Sequence, residues 1–361
     1  MNLRGMRGRL LLAGISLGAL FIAGEIAGRL LERYAGYFSR RRADSFLAPN
    51  AFLRAALVPG ARFRSGTYEI DVNSLGFRGE EISATKPAGT FRIFAVGEST
   101  TFGWKGARTH REAWPALLES KLRAAYPTRS IEVVNAGVPG WTSVQQRVNF
   151  MLRISKLEPD AILIYHGNND LQLSWMPDIE TKLIYGVSAV PSGDTWWNRL
   201  MEYSYVAMDL RMRLQWFRRS LLDKHDDPDP AAMRMLEQNL RGLIHDATAQ
   251  NVKVAIAIYP HALDEHGGPD EFNAEERALG VPAADRWFVR LSHQGVRHSF
   301  PVYNHMVQEL AASEGIPVCD LPSVLPKTTE YFIDWCHLSA KGEETVATRW
   351  FETIREAGWL E

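Results

Sequence analysis

The chain has 361 residues, 46% of them hydrophobic and 23% charged, a globular composition that excludes disorder throughout. With 41 Lys and Arg against 42 Asp and Glu the formal net charge is -1, so no basic surplus points to a nucleic-acid partner. Two cysteines, Cys319 and Cys336, are too few for a disulfide framework or a Cys-based zinc module, and the sequence leaves open whether they pair.

Arg4, Arg7 and Arg9 precede the uncharged stretch 10–24, LLLAGISLGALFIAG. A basic start followed by an apolar run is an export signal or a membrane anchor. Ile26, Ala27, Gly28, Leu30 and Leu31 carry the apolar character past Glu25 and bring it toward the length of a span. No small-x-small cleavage site follows, because Phe21-Ile22-Ala23 and Ile22-Ala23-Gly24 both put a bulky residue first. Residues 1–34 are therefore read as a retained anchor in preference to a cleaved signal peptide or a buried helix. Arg40, Arg41 and Arg42 put positive charge on the far side as well, which leaves the orientation undecided.

Residues 35–90 read as a linker and a β-rich approach segment: Tyr68, Ile70 and Val72 alternate with polar residues, and Asn73-Ser74-Leu75-Gly76 is a turn signal ahead of Arg78. From Phe91 the pattern alternates between strand and helix. Apolar runs at 93–96, 131–134, 161–165, 252–258 and 316–319 predict buried strands. Helical spacing predicts helices from Trp114, Leu118, Leu122 and Ala125; from Val144, Val148, Met151 and Leu152; from Leu236, Leu240 and Leu243; from Met306, Val307 and Leu310; and from Val346, Trp350 and Ile354. Strands alternating with helices predict an α/β fold, a doubly wound parallel sheet sandwich. Stretches 171–229, with Trp175, Trp196, Trp197 and Trp216, and 261–300, rich in charge, Gly and His, interrupt the alternation. Both start past the carboxyl end of a strand, so they are read as substrate-shaping lids, with local packing or a membrane-facing surface as the alternatives for their aromatics.

Four blocks carry chemistry: Gly97-Glu98-Ser99, Asn135-Ala136-Gly137, Gly167-Asn168-Asn169-Asp170 and Asp334-Trp335-Cys336-His337, the first three ending successive strands. Singly, each is ordinary: Ser99 or Asp334 can cap a helix, Asn169-Asp170 is a turn, and His337 is a loop histidine. Together they supply a hydroxyl that needs a base, an imidazole to be that base, a carboxylate to orient it, and neutral donors for an oxyanion. No P-loop or dinucleotide fingerprint is present, and His166, His261 and Asp170 lack metal-ligand spacing, so no cofactor and no metal is expected.

The four blocks resemble those of the SGNH (GDSL-type) hydrolases, and Asn73–Gly79 and Val133–Gly140 resemble the membrane-anchored bacterial members. The resemblance implies a flavodoxin-like hydrolase domain over 91–361. It further implies Ser99 as nucleophile, His337 as general base and Asp334 as its orienting partner. The oxyanion hole would be the N–H groups of Ser99 and Gly137 with the amide of Asn169. The partner would be an acyl-ester substrate (glycan, lipid or small ester), met by a domain held outside the cytoplasm by the N-terminal helix. Acyl transfer to a glycan hydroxyl, or glycan or lipid binding without turnover, are the alternatives. The family usually carries Asp before the serine, where this chain has Glu98. Glu98 is read as a brace for the turn rather than a second base.

Overall fold

A run that is apolar on both parities must be covered on both faces, and a parallel sheet between helix layers does that. A computed structural model of the chain describes residues 3–35, 46–50, 53–65, 67–175, 204, 206–207, 210, 214, 217, 221–263, 288 and 290–361. Two antiparallel hairpins come first, β1 (Leu47–Asn50) with β2 (Arg54–Leu57) and β3 (Arg62–Ser65) with β4 (Tyr68–Asp71). Then β5 (Thr90–Gly97), β6 (Ser130–Asn135), β7 (Ala161–Tyr165), β8 (Lys253–Ile258) and β9 (Val318–Asp320) form one parallel sheet in the order β6-β5-β7-β8-β9. This is the doubly wound α/β fold expected. The chain reverses its direction of travel across the sheet between β5 and β7, the crevice where such sheets place ligands beyond their carboxyl ends. Register opposes Ala95 to Asn135 and Gly97 to Tyr165, so the three strands end at nearly the same level.

The helices that cover the sheet are α3 (Trp114–Ala125), α4 (Ser143–Leu152), α6 (Pro230–Thr248), α7 (His293–Glu314) and α8 (Ala340–Glu356); the short α2 (Ser99–Phe102) and α5 (Asn168–Leu171) follow β5 and β7. Trp114 and Trp350 stack at 5.8 Å between ring centroids, joining α3 to α8. Helix α7 begins at His293, inside the stretch 261–300, and ends on Gly315 in the left-handed region at φ 64°. Helix α4 departs from its apolar periodicity. Met151 and Leu152 are exposed, whereas Ser143, Gln145, Gln146 and Asn149 are buried with Phe150. The buried polar side chains are partnered: Gln146 Nε2 donates to the Gly97 carbonyl at the end of β5, Ser143 to Asp170, and Gln145 Oε1 accepts from the Thr142 cap, while Asn149 Oδ1 accepts from Arg153.

The approach segment builds a second small core, with Phe46, Leu53, Leu57, Ile70 and Val72 packed against Phe102 of α2 and against Val138 and Trp141. The expected turn forms, Gly76 N–H donating to the Asn73 carbonyl at 2.9 Å. Cys319 and Cys336 are both free and buried, and they do not pair.

The chain divides into two compact units, Met1–Asp44 with Ala189–Leu222, and Ser45–Ser188 with Asp223–Glu361. The first contains α1 (Leu3–Ala35), whose stretch Leu12–Leu30 is 19 residues of apolar helix. At about 1.5 Å per residue that is about 28 Å, close to the roughly 30 Å hydrocarbon core of a bilayer. Of the two stretches read as lids, 176–203 and 264–287 lie outside the described residues. Trp175, at the start of the first, stacks on His225 at 4.1 Å and donates Nε1–H to the Asp227 carbonyl at 2.7 Å, so this tryptophan ties the two ends of the insertion together.

Candidate active site

Strand β5 is apolar up to Gly97 and then turns abruptly into α2, so Ser99 opens a helix at the carboxyl edge of the sheet. Glycine is required at the turn: a Cβ on Gly97 would stand 2.2 Å from the Tyr165 carbonyl oxygen. The Ser99 N–H, in the first turn of α2, is one of the donors a helix leaves without an internal partner. The other end of α2 is held by Arg78, a buried guanidinium from the Asn73–Gly79 phrase. Its Nη1 donates to the Phe102 carbonyl and, at 3.1 Å, to that of Gly103, and its Nη2 donates to Ala107 O at 3.1 Å. The Arg78 backbone bridges Asn135, tying the end of β6 to the same turn.

Asp334 and His337 sit on one tight loop, closed by a bridge between Phe332 and Leu338. Asp334 Oδ1 accepts the backbone N–H of Cys336 at 3.0 Å and of His337 at 2.8 Å, which folds the loop back on its own carboxylate. His337 Nδ1 lies 2.7 Å from Asp334 Oδ2, and Nε2 lies 2.9 Å from Ser99 Oγ. With Nδ1–H donating to Asp334, the Nε2 lone pair faces the hydroxyl. Burial by itself would raise the Asp334 pKa, but the adjoining His337 charge and hydrogen bonds, with Lys105, hold it well below the usual carboxylate range. Asp334, Cys336 and His337 gather potential metal-ligand atoms within 4.8 Å of one another. His337 Nδ1 and Asp334 are already bonded to each other, and burial pushes the Cys336 thiol well up, which suits a triad arm better than a metal centre.

Gly137 packs directly on the nucleophile turn, where a Cβ would stand 2.3 Å from the Phe102 nitrogen. Its N–H donates at rest to Asn135 Oδ1 at 3.0 Å. Asn169 gives one of its two amide protons to the Trp141 carbonyl at 2.8 Å. Trp141 is itself anchored by Nε1–H to Ala55 O at 2.7 Å, so the approach segment supports this wall of the site.

Glu98 does brace, though the loop it holds is the neighbouring one rather than its own turn. Oε1 accepts the N–H groups of Gly167 at 3.1 Å and Asn168 at 2.7 Å, and Oε2 accepts that of Asn169 at 2.8 Å. Burial pushes the Glu98 carboxyl up to about 7 against the pull of His166 and the backbone donors. A glutamine here can offer one acceptor oxygen, and its NH2 then opposes a backbone N–H. Glu98→Gln is therefore expected to displace Asn169 and lower kcat by about 10²–10³-fold, the cost typical of losing one oxyanion donor, with little change in KM. Steady-state kinetics on a p-nitrophenyl ester check this, and wild-type kcat in the variant would remove the brace from the mechanism.

The sequence names Asp170 only as a turn residue and His166 only as a poor metal ligand, and it does not single out Glu343, yet all three are buried behind the site. Asp170 accepts the Ser143 hydroxyl at 2.5 Å and the Ser143 N–H at 2.9 Å, and lies 2.7 Å from His166 Nε2, so it ties the start of α4 to the end of β7. Burial alone would lower the His166 pKa, but the Asp170 and Glu98 carboxylates raise it. Glu343 in α8 reaches across to accept the Trp114 N–H at the start of α3 at 2.8 Å. Burial pushes its carboxyl up to about 8. Only the phrase around Arg78 left a signal in the sequence, because long-range partners carry no local pattern.

These shifts fix a sign for stability. A carboxyl whose folded pKa is raised binds its proton more tightly when folded. Its contribution is complete below the unfolded value, about 4.3, and is lost as pH rises through the folded value. Glu343 and Glu98 act this way, and His166, also raised, adds the same sign at higher pH. The melting temperature is expected to fall by several degrees between about pH 5 and pH 8, and Glu343→Gln should flatten the decline. A wild-type melting temperature that climbs across that interval contradicts the assignment.

The model of the GDSL-like lipase/acylhydrolase family matches residues 95–345, most of the chain and all four blocks. Among solved structures, a lipase/acylhydrolase from Enterococcus faecalis is 18% identical with a TM-score of 0.44, covering 74% of this chain and 96% of that one. An acetylxylan esterase from Geobacillus stearothermophilus is 16% identical with a TM-score of 0.44, covering 75% of this chain and 96% of that one. No curated protein matches the chain.

Proposed function

The chain belongs to the GDSL-like lipase/acylhydrolase family and is a hydrolase of ester bonds, and from that premise we propose that it is a serine esterase acting on O-acyl groups through an acyl-enzyme on Ser99. The observation that carries this reading is the unbroken run of hydrogen bonds from Asp334 Oδ2 through His337 to Ser99 Oγ, at 2.7 and 2.9 Å. His337 Nε2 takes the Ser99 proton as Oγ attacks the ester carbonyl carbon, and the resulting imidazolium is stabilised by Asp334. The negative oxygen of the tetrahedral intermediate is held by the Ser99 and Gly137 N–H groups and the Asn169 amide, donors that add no charge of their own. Asn135 occupies the Gly137 N–H at rest and releases or shares it as the oxyanion forms. His337 then protonates the departing alcohol, and a water activated by the same imidazole frees the acid.

The charge state of Asp334 supports the reading, because a carboxylate held ionised keeps the imidazole in the tautomer that faces Ser99. A binding module has no use for that arrangement. Incubation with a serine-reactive fluorophosphonate should label the protein at Ser99 and stop turnover of p-nitrophenyl esters, and a chain that neither takes the label nor turns over the esters overturns the assignment. A series of such esters of rising acyl length reads the acyl preference directly.

The membrane is the second partner in this proposal. α1 is exposed along Leu17, Leu20, Ile22 and Ile26, and its apolar stretch has the length of a span, which supports an anchor holding the esterase at the cell envelope. The full-length chain should then sediment with membranes and resist extraction by high salt, and its recovery in the soluble fraction would refute the anchor.

A further inference from the structure

Helix α1 is not bare on every side. Within its apolar stretch Gly24 and Glu25 are half-buried and Gly28 is buried, so one seam of small residues is covered. At Gly24 and Glu25 the cover is Ser204 and Val206, from the other part of the same unit. A Cβ on Gly24 would stand 2.7 Å from Val206 Cγ2, the close approach that small residues four apart permit between helices in a membrane. Glu25 Oε1 accepts the Ser204 hydroxyl proton and, at 3.1 Å, the Val206 N–H. Ser204 Oγ in turn accepts the Ala207 N–H at 3.0 Å, the geometry of a helix N-cap, so the carboxylate lies where a helix N-terminus favours negative charge. The charge that interrupts the span is thereby paired rather than left to face lipid.

Downstream of that cap, Val206, Ala207, Leu210, Leu214 and Phe217 are helical. Leu210, Leu214 and Phe217 are spaced by four and three, which places them on one face of a helix, and Leu221 follows four residues later in a turn. They are 64%, 48%, 61% and 67% exposed, an apolar stripe of a size that water does not tolerate without a purpose. Arg211, Arg213, Arg218 and Arg219 are interleaved with them in the sequence, a composition suited to anionic headgroups.

We propose that the apolar stripe Leu210, Leu214, Phe217 and Leu221, which follows the cap docked on the anchor at Gly24 and Glu25, lies in the acyl boundary of the bilayer. This rests on the reading of α1 as a membrane span. Continuity selects the bilayer as the occupant. The docking point lies inside the stretch Leu12–Leu30, with Glu25 about 8 Å of helix from Leu30. That is the depth, roughly 5–10 Å below the headgroups, at which interfacial amphipathic helices lie.

The test uses the full-length chain in vesicles of equal parts phosphatidylethanolamine and phosphatidylglycerol, carrying one nitroxide at a time on Leu17→Cys, Leu214→Cys, Leu221→Cys or Gln250→Cys. The native Cys319 and Cys336 are buried and do not compete for the label. Labels at Leu17, Leu214 and Leu221 are expected to show a several-fold higher ratio of oxygen to nickel-chelate accessibility than the label at exposed Gln250. Stripe labels that match Gln250 while Leu17 reads as lipid overturn the interfacial stripe and leave the anchor standing. A Leu17 label in water overturns both. Stripe labels shielded from both reagents, with spin–spin broadening that disappears on dilution with unlabelled protein, assign the stripe to a second copy of the chain and overturn the proposal as well.

Discussion

Ser99→Ala is expected to lower kcat on p-nitrophenyl acetate by about 10⁴–10⁶-fold while leaving the melting temperature within a degree or two of wild type. The rate falls because, among the described residues, the Ser99 hydroxyl is the one bonded to His337 Nε2, and without it the acyl-enzyme does not form. Stability holds because the side chain lies at the mouth of a loop, 8% exposed, and its removal opens little cavity. Alanine also suits the first turn of a helix at least as well as serine does. Turnover equal to wild type would remove Ser99 from the mechanism. A large loss of activity accompanied by a large fall in melting temperature would instead make Ser99 a structural residue, so both measurements are made on the same preparation.

Asp334→Asn is expected to cost about 10⁴-fold in kcat with the loop intact. The asparagine oxygen can go on accepting the Cys336 and His337 N–H groups that Asp334 Oδ1 takes now. Its NH2 group, however, would face His337 Nδ1 and push the ring proton to Nε2, leaving Ser99 opposite a donor where it needs an acceptor. The folded pKa of Asp334 is depressed, so its contribution to stability is present above the unfolded value of about 3.9 and is lost as pH falls below it. The variant should therefore lose less stability than wild type on acidification, a difference readable by thermal melting below about pH 4. Unchanged kcat in Asp334→Asn would hand the orienting role to another group.

Much of this molecule was legible in one dimension because its signals are local. Apolar runs such as Ala161–Tyr165 declare a strand buried on both faces, and Trp114–Ala125 matches its helical spacing from end to end. The four blocks are also local phrases, each at a strand end or in one loop, and their resemblance to those of the SGNH hydrolases nominates Ser99, Gly137, Asn169, Asp334 and His337 from the sequence. What local patterns cannot carry is which distant groups meet. His337 reaches Ser99 across 238 residues of chain, from the loop that Phe332 and Leu338 close ahead of α8. The bracing of the Asn169 loop by Glu98, the grip of Arg78 on α2, and the Glu343 bond across to α3 are of the same kind. The polar inner face of α4 ran against its own periodicity because its buried polar groups find partners elsewhere, such as Asp170 for Ser143 and the Gly97 carbonyl for Gln146. Fold class follows from short-range periodicity, and the candidate reacting groups from local phrases that resemble a family's blocks, whereas the partner of each buried charge is decided by how elements far apart in the chain pack together.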